Sequence, residues 1–535
     1  MSDSNHKQVS VAEFFEKNRH LLGFNNPAKA LLTSVKEAVD NSLDACESSK
    51  ILPEIYVKIQ EVGNDRYKLI VEDNGPGLNK KVLGKAFGSL LYGSKFRSTG
   101  GKQGRGQQGI GISAVIMYGQ LTTGKPAVII SKTAKESKAR HYKLHIDVKT
   151  NEPDILESEE KVWNKEHGTR IEVVMDGKIL KTKQSPFEFI KQTAVVNPHA
   201  KLEFVDQDGQ KHKFPRVVNQ LPKEAKELKP HPHGTEFGVF KRMSKETSAR
   251  SIKSFLTNDF DKVGSGTAEK ILEDAEIDPQ TMPKLLNDDQ LHSIHKSIAK
   301  AKIMNPSTDC LSPISADALR KSLESEYDLE FSNAVTRRPT VYRGFPFQIE
   351  VAIGYGGELK EEGSITLNRF ANKVPLLYEE GACAVTKSLK GITWRSYGLS
   401  NSSGSMPVGP AIIVVHIASV WVPFTSESKA SVASYPDINK ELRLAIQECA
   451  RSLQVYVKRK AKSALEEEKR KKFRGYADEV ATAVAKLISE NSFKLTKKDI
   501  ETKSIPIRSK LLATAETMYS TGKELKESEG EDKDE

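Results

Sequence analysis

The spacing of hydrophobic positions predicts alternating helices and strands over the first part of the chain. Within residues 28–48, Leu32, Val35, Val39 and Leu43 recur three or four positions apart, which predicts a helix with one buried face. Apolar residues then recur at every second position, which predicts half-buried strands at 55–61, 67–72, 127–131, 142–148 and 169–175. A buried helix is predicted at 110–118. Helices combined with an antiparallel sheet indicate an α/β sandwich over about the first 225 residues.

The stretch 79–108 interrupts this pattern. A short helical segment is followed by Gly, Lys, Ser and Arg residues with almost no apolar side chain. This composition predicts a mobile loop.

The rest of the chain has three further regions. The Pro-rich stretch Pro222 to Pro232 marks a boundary, and residues 244–304 are predicted as short helices. Residues 338–422 are rich in β-branched and aromatic residues and are predicted as strands. A Lys- and Glu-rich helical pattern at 438–487 is expected to be exposed and lever-like, and the last dozen residues are expected to be disordered.

The composition argues for a globular protein with several domains and against a membrane protein. The 535 residues are 37% hydrophobic and 29% charged, and the usual domain size gives about three or four domains. The longest apolar run, 411–422, contains His416 and Ser419 and is far shorter than the roughly 20 residues of a membrane span. Residues 1–10 are polar and lack the apolar core of a secretion signal. We therefore expect a cytoplasmic protein with no membrane partner.

Neither the cysteines nor the net charge of the chain points to one specific function. Cys46, Cys310, Cys383 and Cys449 have neither metal-site nor disulfide-framework spacing, so we expect buried or free thiols. The net charge of +11 persists despite an acidic tail after residue 523. That charge fits a nucleic-acid partner and fits a well-solvated Lys-rich surface equally well.

Two familiar nucleotide motifs are present in the wrong context. Residues 104–109 match GxGxxG, but they follow a loop where a dinucleotide fingerprint follows a strand. Residues 119–125 resemble a phosphate-binding P-loop, but Pro126 stands where Ser or Thr would hold magnesium. We reject both.

A more informative set of polar residues begins on the first predicted helix. Glu37 and Asn41 are four positions apart, so both project from one helix face, opposite the apolar stripe. The carboxylate can polarise a water molecule, and the amide oxygen can ligate magnesium. Taken alone, a solvated polar face explains the pair at least as well.

Three further segments complete this set. Asp73 follows a predicted strand and precedes Gly75 and Gly77, whose lack of side chains allows a ligand to approach closely; an ordinary turn is the alternative. The glycine-rich segment 104–111 leads into a helix, where free backbone N–H groups can bind phosphate. Thr169 follows His167 and Gly168 and places a hydroxyl at the edge of the sheet.

The order of these four segments resembles the Bergerat fold of the GHKL ATPases, a family that includes gyrase B, heat-shock chaperones, MutL and histidine kinases. The resemblance implies ATP and Mg²⁺ as cofactors, with Glu37 as general base, Asn41 as magnesium ligand and Asp73 as adenine partner. It also implies that the nucleotide is bound by Gly75, Gly77 and Thr169, by the ATP-lid residues Ser94 and Lys95, and by the phosphate-binding residues Gly104, Arg105, Gly106, Gln107, Gln108, Gly109, Ile110 and Gly111.

Within this family, the chain resembles the B subunits of type IIB DNA topoisomerases. The resemblance rests on residues 14–24, 40–45, 104–111 and the Pro-His-Pro-His-Gly segment 230–234, and it extends over essentially all domains. It implies a GHKL ATPase domain at 1–228, a helix-two-turns-helix domain at 229–306 and an α/β transducer domain at 307–470. A C-terminal helical segment and acidic tail would occupy 471–535, giving an α+β multidomain fold with a long C-terminal helix.

The same resemblance assigns two sites in the transducer region. Lys429 lies in a loop where the family has a catalytic lysine that contacts ATP, whereas its position alone would fit a surface lysine in a Ser-rich loop. Trp394, Arg395 and Tyr397 resemble a WKxY element associated with DNA sensing, with Arg in place of Lys; packing of this segment within the transducer is the alternative.

The implied function is ATP-driven dimerisation that gates passage of one DNA duplex through a break made by a partner A subunit, in an A2B2 assembly acting on double-stranded DNA. Such a protein would be nucleoid-associated in a prokaryote. An ATP-gated DNA clamp or scaffold of the same family, similar to MutL or to a chaperone and without strand passage, is the alternative.

Overall fold

The computed structural model describes residues 9–93, 101–106, 109–426 and 429–490, together with 496, 498, 501–502, 504–514 and 517. Two compact units are distinguished, one ending at Leu453 and the other beginning at Gln454.

The first unit begins with an eight-stranded sheet in the order β5-β4-β3-β6-β2-β1-β7-β8. Its strands are β1 Glu54–Gly63, β2 Arg66–Asp73, β3 Ala127–Lys132, β4 Ala139–Asp147, β5 Glu152–Lys161, β6 Gly168–Asp176, β7 Lys201–Val205 and β8 Lys211–Phe214. Neighbouring strands are antiparallel except for β1 and β7, which are parallel. The predicted antiparallel sheet is therefore confirmed, apart from this one pair.

Helices cover one face of this sheet. They are α1 Val11–Lys17, α2 Pro27–Ser48, α3 Lys80–Gly88, α4 Gly111–Thr123 and α5 Pro186–Val196. Helix α2 begins at Pro27 because the Asn26 side chain caps its first turn, accepting a hydrogen bond from the backbone N–H of Lys29. Its predicted apolar stripe is buried against the sheet in a continuous core. The predicted α/β sandwich is confirmed.

A small helical module follows, with its own hydrophobic core. It comprises α6 Phe237–Glu246, α7 Ile252–Asp259, α8 Ser265–Asp274 and α9 Asp288–Lys300. Phe240, Phe255 and Ile294 are fully buried at its centre. The histidines of the 230–234 segment attach the module to the preceding linker, because His231 hydrogen-bonds to the Met304 carbonyl and His233 to the carbonyls of Ile298 and Ala301.

A second, six-stranded sheet forms the last part of the first unit. It contains β9 Phe331–Thr336, β10 Thr340–Tyr342, β11 Phe345–Tyr355, β12 Thr366–Ala371, β13 Val374–Pro375 and β14 Ala411–Ser419, with β12 and β14 parallel. Helix α10, Ala316–Glu326, packs on this sheet together with the end of α5, while α11 spans Ala384–Lys390. The run 411–422, considered above as a membrane span, begins with the buried strand β14.

The long helix α12 spans Pro436–Glu490. The expectation that this helix is exposed is wrong for its first part, where Leu442, Ile446 and Leu453 are buried. Glu441 and Glu448 also pair with Arg337, which follows β9. In the second unit, apolar side chains such as Val455, Leu465 and Tyr476 are exposed.

No helix in the described ranges is long and apolar enough to cross a lipid bilayer. The four cysteines are free and buried, as expected.

Candidate functional site

A cavity of about 310 Å³ lies between α2, α4 and the ends of β2 and β6. The predicted site residues that line it are Glu37, Asn41, Asp73, Gly77, Gly106, Gly109, Ile110, Gly111, Thr169 and Lys429. These residues come from five separate segments of the sequence. The structure therefore brings most of the predicted site together in one place.

Glu37 lies against the first turn of α4. A Cβ atom on Gly111 would lie 1.9 Å from Oε2 of Glu37, so glycine is needed at this position for the observed carboxylate placement. Ile110 precedes the helix without a side-chain cap, which leaves the first N–H groups of α4 for a ligand. Carboxylate and helix N-terminus thus face the same part of the cavity, with Asn41 one turn further along α2.

Asp73 lies at a second position in the cavity and is almost fully buried. The backbone N–H groups of Gly75 and Thr169 donate to its Oδ1 at 2.8 and 3.1 Å, and the Ser42 hydroxyl donates to Oδ2 at 2.9 Å. Burial raises the pKa of Asp73, while the bonds from Gly75, Ser42 and Thr169 act in the opposite direction. Because Oδ2 accepts one hydrogen bond from the protein, it can accept another from a ligand amino group.

The glycines around Asp73 allow close backbone approaches. Gly77 has a φ of +69°, and a Cβ atom there would lie 2.0 Å from the Lys132 carbonyl oxygen. Gly75 does not line the cavity, and its contribution is the hydrogen bond to Asp73.

The Arg105 side chain does not line the cavity. The guanidinium is buried and bonds to Glu47, Asp44 and Asn197, so it points away from the cavity. Only the Arg105 backbone is close to the predicted site, because Nζ of Lys429 lies 3.4 Å from its carbonyl oxygen. Gly104 likewise does not line the cavity.

Lys429 reaches this site from the region of the second sheet. It follows β14 by a loop in which Phe424 and Val432 form an isolated bridge, and it adopts a φ of +52°. Left-handed backbone is unfavourable for a residue with a side chain, so the loop holds Lys429 in a specific conformation.

Four predicted site residues, Ser94, Lys95, Gln107 and Gln108, lie outside the described residues.

The proposed DNA-sensing segment is only partly exposed, which corrects the expectation for Trp394. The indole is fully buried, and its N–H donates to the Leu389 carbonyl oxygen at 3.0 Å. It therefore offers no aromatic surface to DNA. Arg395 is exposed and Tyr397 partly so, and these two remain candidates.

Sequence reasoning missed Ser42, which binds Asp73, and the apolar side chains that enclose the cavity. Leu22, Phe24, Leu78, Ile112 and Ile171 belong to the latter group. Ser42 directly follows Asn41, so its place beside the motif was the available signal. The apolar residues gave none, because core positions show the same spacing.

Two family models match this chain. Residues 30–172 match the histidine kinase-, DNA gyrase B- and HSP90-like ATPase model, and residues 306–471 match the transducer of the topoisomerase VI B subunit. The first match and the cavity together define a GHKL ATPase, which implies ATP binding.

Similar proteins extend over most of the chain. The B subunit of type 2 DNA topoisomerase 6 from Archaeoglobus fulgidus is 48% identical over 458 residues, covering 85% of this chain and 75% of the relative. The protein of the same name from Methanococcoides burtonii is 48% identical over 452 residues, covering 84% and 72%. Among solved structures, the ATPase domain of Thermus thermophilus gyrase B is similar with a TM-score of 0.40 at 12% identity, covering 87% of this chain and 98% of that one.

The chain belongs to the family formed by the B subunits of type 2 DNA topoisomerase 6. Membership in this family favours the ATP-driven topoisomerase role over the alternative of a clamp or scaffold similar to MutL or to a chaperone.

Proposed function

We propose that this chain binds ATP with Mg²⁺ in the α2–α4 cavity and uses hydrolysis to gate the passage of one DNA duplex through another. The observation that carries the proposal is the convergence of Glu37, Asn41, Asp73 and Lys429 on one cavity. The domain division given above, at 228, 306 and 470, belongs to the same proposal.

The shape and chemistry of the cavity suit ATP. Asp73 would accept a hydrogen bond from the adenine amino group, and the backbone of 106–111 at the start of α4 would bind the phosphates. Among the other residues assigned to nucleotide binding, Gly75 would act through its hydrogen bond to Asp73. Gly104 and Arg105 would act through their own backbone, which leads into this loop. Ser94, Lys95, Gln107 and Gln108 keep the roles given by the family resemblance.

Mg²⁺ would be held by the Asn41 amide oxygen together with phosphate oxygens and water. The described residues contain no cluster of three or more His, Cys, Asp or Glu suited to a metal. Mg²⁺ commonly keeps several waters and takes few protein ligands beside substrate phosphates, so a single amide is compatible with it. Bound magnesium supplies charge neutralisation at the phosphates.

Glu37 would act as the general base. Its carboxylate lies beside Gly111, at the end of the cavity where the first N–H groups of α4 are available. It can accept a proton from a water positioned there, while those N–H groups and Lys429 stabilise the negative charge that develops on the phosphate.

The partners follow from the family. Its members are named as one subunit of a DNA topoisomerase, and that name supports a second type of subunit and DNA as partners. The net charge of +11 agrees with a polyanionic partner. We include the DNA-cutting A subunit, a second copy of this chain in an A2B2 assembly, and a contact of Arg395 and Tyr397 with DNA in the proposal. A cytoplasmic, nucleoid-associated location would follow.

The first test is Glu37→Gln, which keeps the side-chain shape and removes the base. We expect ATP binding to persist and hydrolysis to fall by about 10² to 10⁴. Two quantities would be measured, the rate of ATP hydrolysis and the binding of a non-hydrolysable ATP analogue. Each would be measured with duplex DNA and the A subunit present or absent. Glu61→Gln, on the exposed end of β1, is the matched control.

Hydrolysis at the wild-type rate in Glu37→Gln would remove Glu37 from the mechanism. A wild-type chain that binds ATP without turnover under all these conditions would instead support a ligand-gated clamp.

A further inference from the structure

The five residues that lead into the phosphate-binding loop, 101–105, form a segment that we call the strap. The hydrogen bonds of the strap are made mainly with residues that are distant from it in the sequence. The Gly101 carbonyl accepts a hydrogen bond from Leu228 N–H, and the Gln103 N–H donates to the Cys310 carbonyl. The Gln103 side chain also makes two bonds to the Ser312 backbone, at 2.7 and 3.2 Å. The strap is therefore held at the junction of the ATPase sheet with the segments that follow it.

A two-residue turn of the second sheet reaches the same junction. Asn372 and Lys373 join β12 to β13, with φ values of +49° and +65°. Both are almost fully buried, at 4% and 3% exposure. Hairpin turns of this backbone type favour glycine at the second position and normally lie on the surface. A buried lysine in left-handed backbone is unusual enough to indicate a functional constraint.

Asn372 contacts the strap directly. Its Nδ2 donates to the Gly104 carbonyl oxygen at 3.2 Å. The same side chain is fixed to β14, because it donates to the Ser419 carbonyl and accepts from the Ser419 N–H, both at 2.9 Å. One side chain thus links the strap to the strand that leads to the Lys429 loop.

Lys373 continues this contact into a buried ionic cluster. Its Nζ donates to Ser312 Oγ at 3.0 Å and lies 3.9 Å from Oε2 of Glu47. Glu47 in turn holds Arg105 of the strap and the ring of His199. Burial alone would raise the pKa of Glu47, but Arg105, Lys373 and His199 outweigh it and hold that pKa well below the usual range.

Asn197 closes the cluster from the other side. Its Oδ1 accepts from Arg105, and its Nδ2 donates to the Lys373 carbonyl oxygen at 3.3 Å. Behind the turn, the Lys373 N–H donates to His416 Nε2, and His416 Nδ1 lies 2.8 Å from Glu350. The turn cannot shift without disturbing bonds on both of its sides.

We propose that the Asn372–Lys373 turn positions the phosphate-binding loop, so that the loop holds its nucleotide-binding form only while the second sheet is docked against the strap. Asn372, Lys373 and Gln103 are positioning residues, since none of them lines the cavity. The turn would couple the phosphate end of the site to the second sheet through the strap, which Lys429 also contacts at the Arg105 carbonyl oxygen. This inference rests on the proposed ATPase function.

The test is Asn372→Gly in the full chain. Glycine accepts the left-handed backbone, so the turn is kept while the side-chain bond to Gly104 and the two bonds to Ser419 are lost. We expect the affinity for a non-hydrolysable ATP analogue to fall on the order of five- to tenfold, which corresponds to the loss of the one hydrogen bond that reaches the strap. The affinity for adenosine, which has no phosphate and would contact only the Asp73 end, should stay within twofold of wild type.

The matched control is Asn401→Gly. Asn401 also bonds through its side chain to two backbone groups, Trp394 N–H and the Ile392 carbonyl, but it does not touch the strap. It should leave both affinities unchanged. Gln103→Ala, which removes the two bonds to Ser312, should act in the same direction as Asn372→Gly.

A double-mutant cycle with Lys429→Met separates positioning from general loosening. Because Lys429 also contacts the strap, at the Arg105 carbonyl, the effects of the two substitutions on kcat should be non-additive. Additive effects, or equal losses of adenosine and analogue affinity in Asn372→Gly, would overturn the inference. Failure of the wild-type chain to bind the analogue would overturn the proposed function and this inference with it.

Discussion

At the scale of single residues, Asp40 and Asn41 are neighbours on α2 with opposite environments. Asn41 faces the cavity, whereas Asp40 is buried and its Oδ1 has no hydrogen-bond partner among the described residues. Burial raises the pKa of Asp40 from 3.8 to about 7. Lys36 and Arg105 oppose this rise, and Glu37 and Asp44 add to it. The carboxyl group is therefore protonated below about pH 6 and about half protonated near pH 7.

We expect Asp40 to lower the stability of the folded chain as the pH increases. The folded state holds this proton more tightly than the unfolded state, so stability falls between about pH 4 and pH 7 and is constant above that range. A pKa rise of this size corresponds to roughly 4 kcal/mol as an upper bound. Asp40→Asn resembles the protonated form and should raise the Tm relative to wild type at pH 8 and leave it nearly unchanged at pH 4.5.

The measurement is thermal unfolding of both proteins over this pH range. A Tm difference that is the same at all pH values would show that Asp40 does not titrate in the folded state as described.

Sequence spacing predicted the placement of some site residues and not of others. Glu37 and Asn41 could be assigned to one face because helical periodicity is local. The direction of the Arg105 side chain could not, since its partners Glu47 and Asn197 lie 58 and 92 positions away. The burial of Trp394 could not be predicted from the sequence either, because it depends on tertiary packing.

At the scale of elements, the start of α4 sets the position of the Glu37 carboxylate. Gly111→Ala should favour the helix slightly, since alanine is a better helix former by about 1 kcal/mol. Its Cβ would overlap the Glu37 carboxylate, which is the movable end of a side chain. We therefore expect a folded protein with nearly unchanged Tm and ATP hydrolysis lower by on the order of 10².

Gly238→Ala serves as the control for this substitution. It lies in the first turn of α6, where an added Cβ meets nothing within 4 Å. If Gly111→Ala and Gly238→Ala hydrolyse ATP equally fast, the carboxylate does not depend on the space that Gly111 provides.

Strongly amphipathic elements were predictable, and exposed or short ones were not. Helix α2 and strands β1 and β2 have one buried face, and their bounds are close to those predicted. Strand β5 was missed because nearly all of its side chains are exposed, so it has no period of two in hydrophobicity. Strands β7 and β8 are only five and four residues long, too short for a clear pattern. The parallel pairing of β1 with β7 depends on chain topology, which spacing does not report.

At the scale of the whole molecule, Lys429 connects the second sheet to the nucleotide cavity. A lysine that contacts only the γ-phosphate would distinguish ATP from ADP. Lys429→Ala should leave ADP affinity nearly unchanged and lower hydrolysis and DNA strand passage together, by roughly 10² or more. ADP titration, ATP hydrolysis and DNA relaxation with the A subunit would be measured on the same preparation.

Lys429→Met is the companion variant, because it keeps the aliphatic stem and has the same difficulty with left-handed backbone. Both variants should be impaired to a similar extent. Normal hydrolysis in either of them, in folded protein, would place the γ-phosphate contact on another residue.

The buried cysteines can serve as built-in probes of local opening of the protein. Thiolates are the reactive form, and burial raises the pKa of Cys46, that of Cys310 to about 11 and that of Cys449 to about 12. Alkylation by a maleimide must therefore wait for a local opening, in the same way as amide hydrogen exchange. The Cys46 thiol lies 3.5 Å from the side-chain oxygen of Asn74, which follows Asp73. The Cys310 carbonyl oxygen accepts a hydrogen bond from Gln103 of the strap, and Cys449 lies on the buried first part of α12. The rate of maleimide labelling, measured separately for each of these cysteines, would show which of the three regions opens first when nucleotide is added or removed.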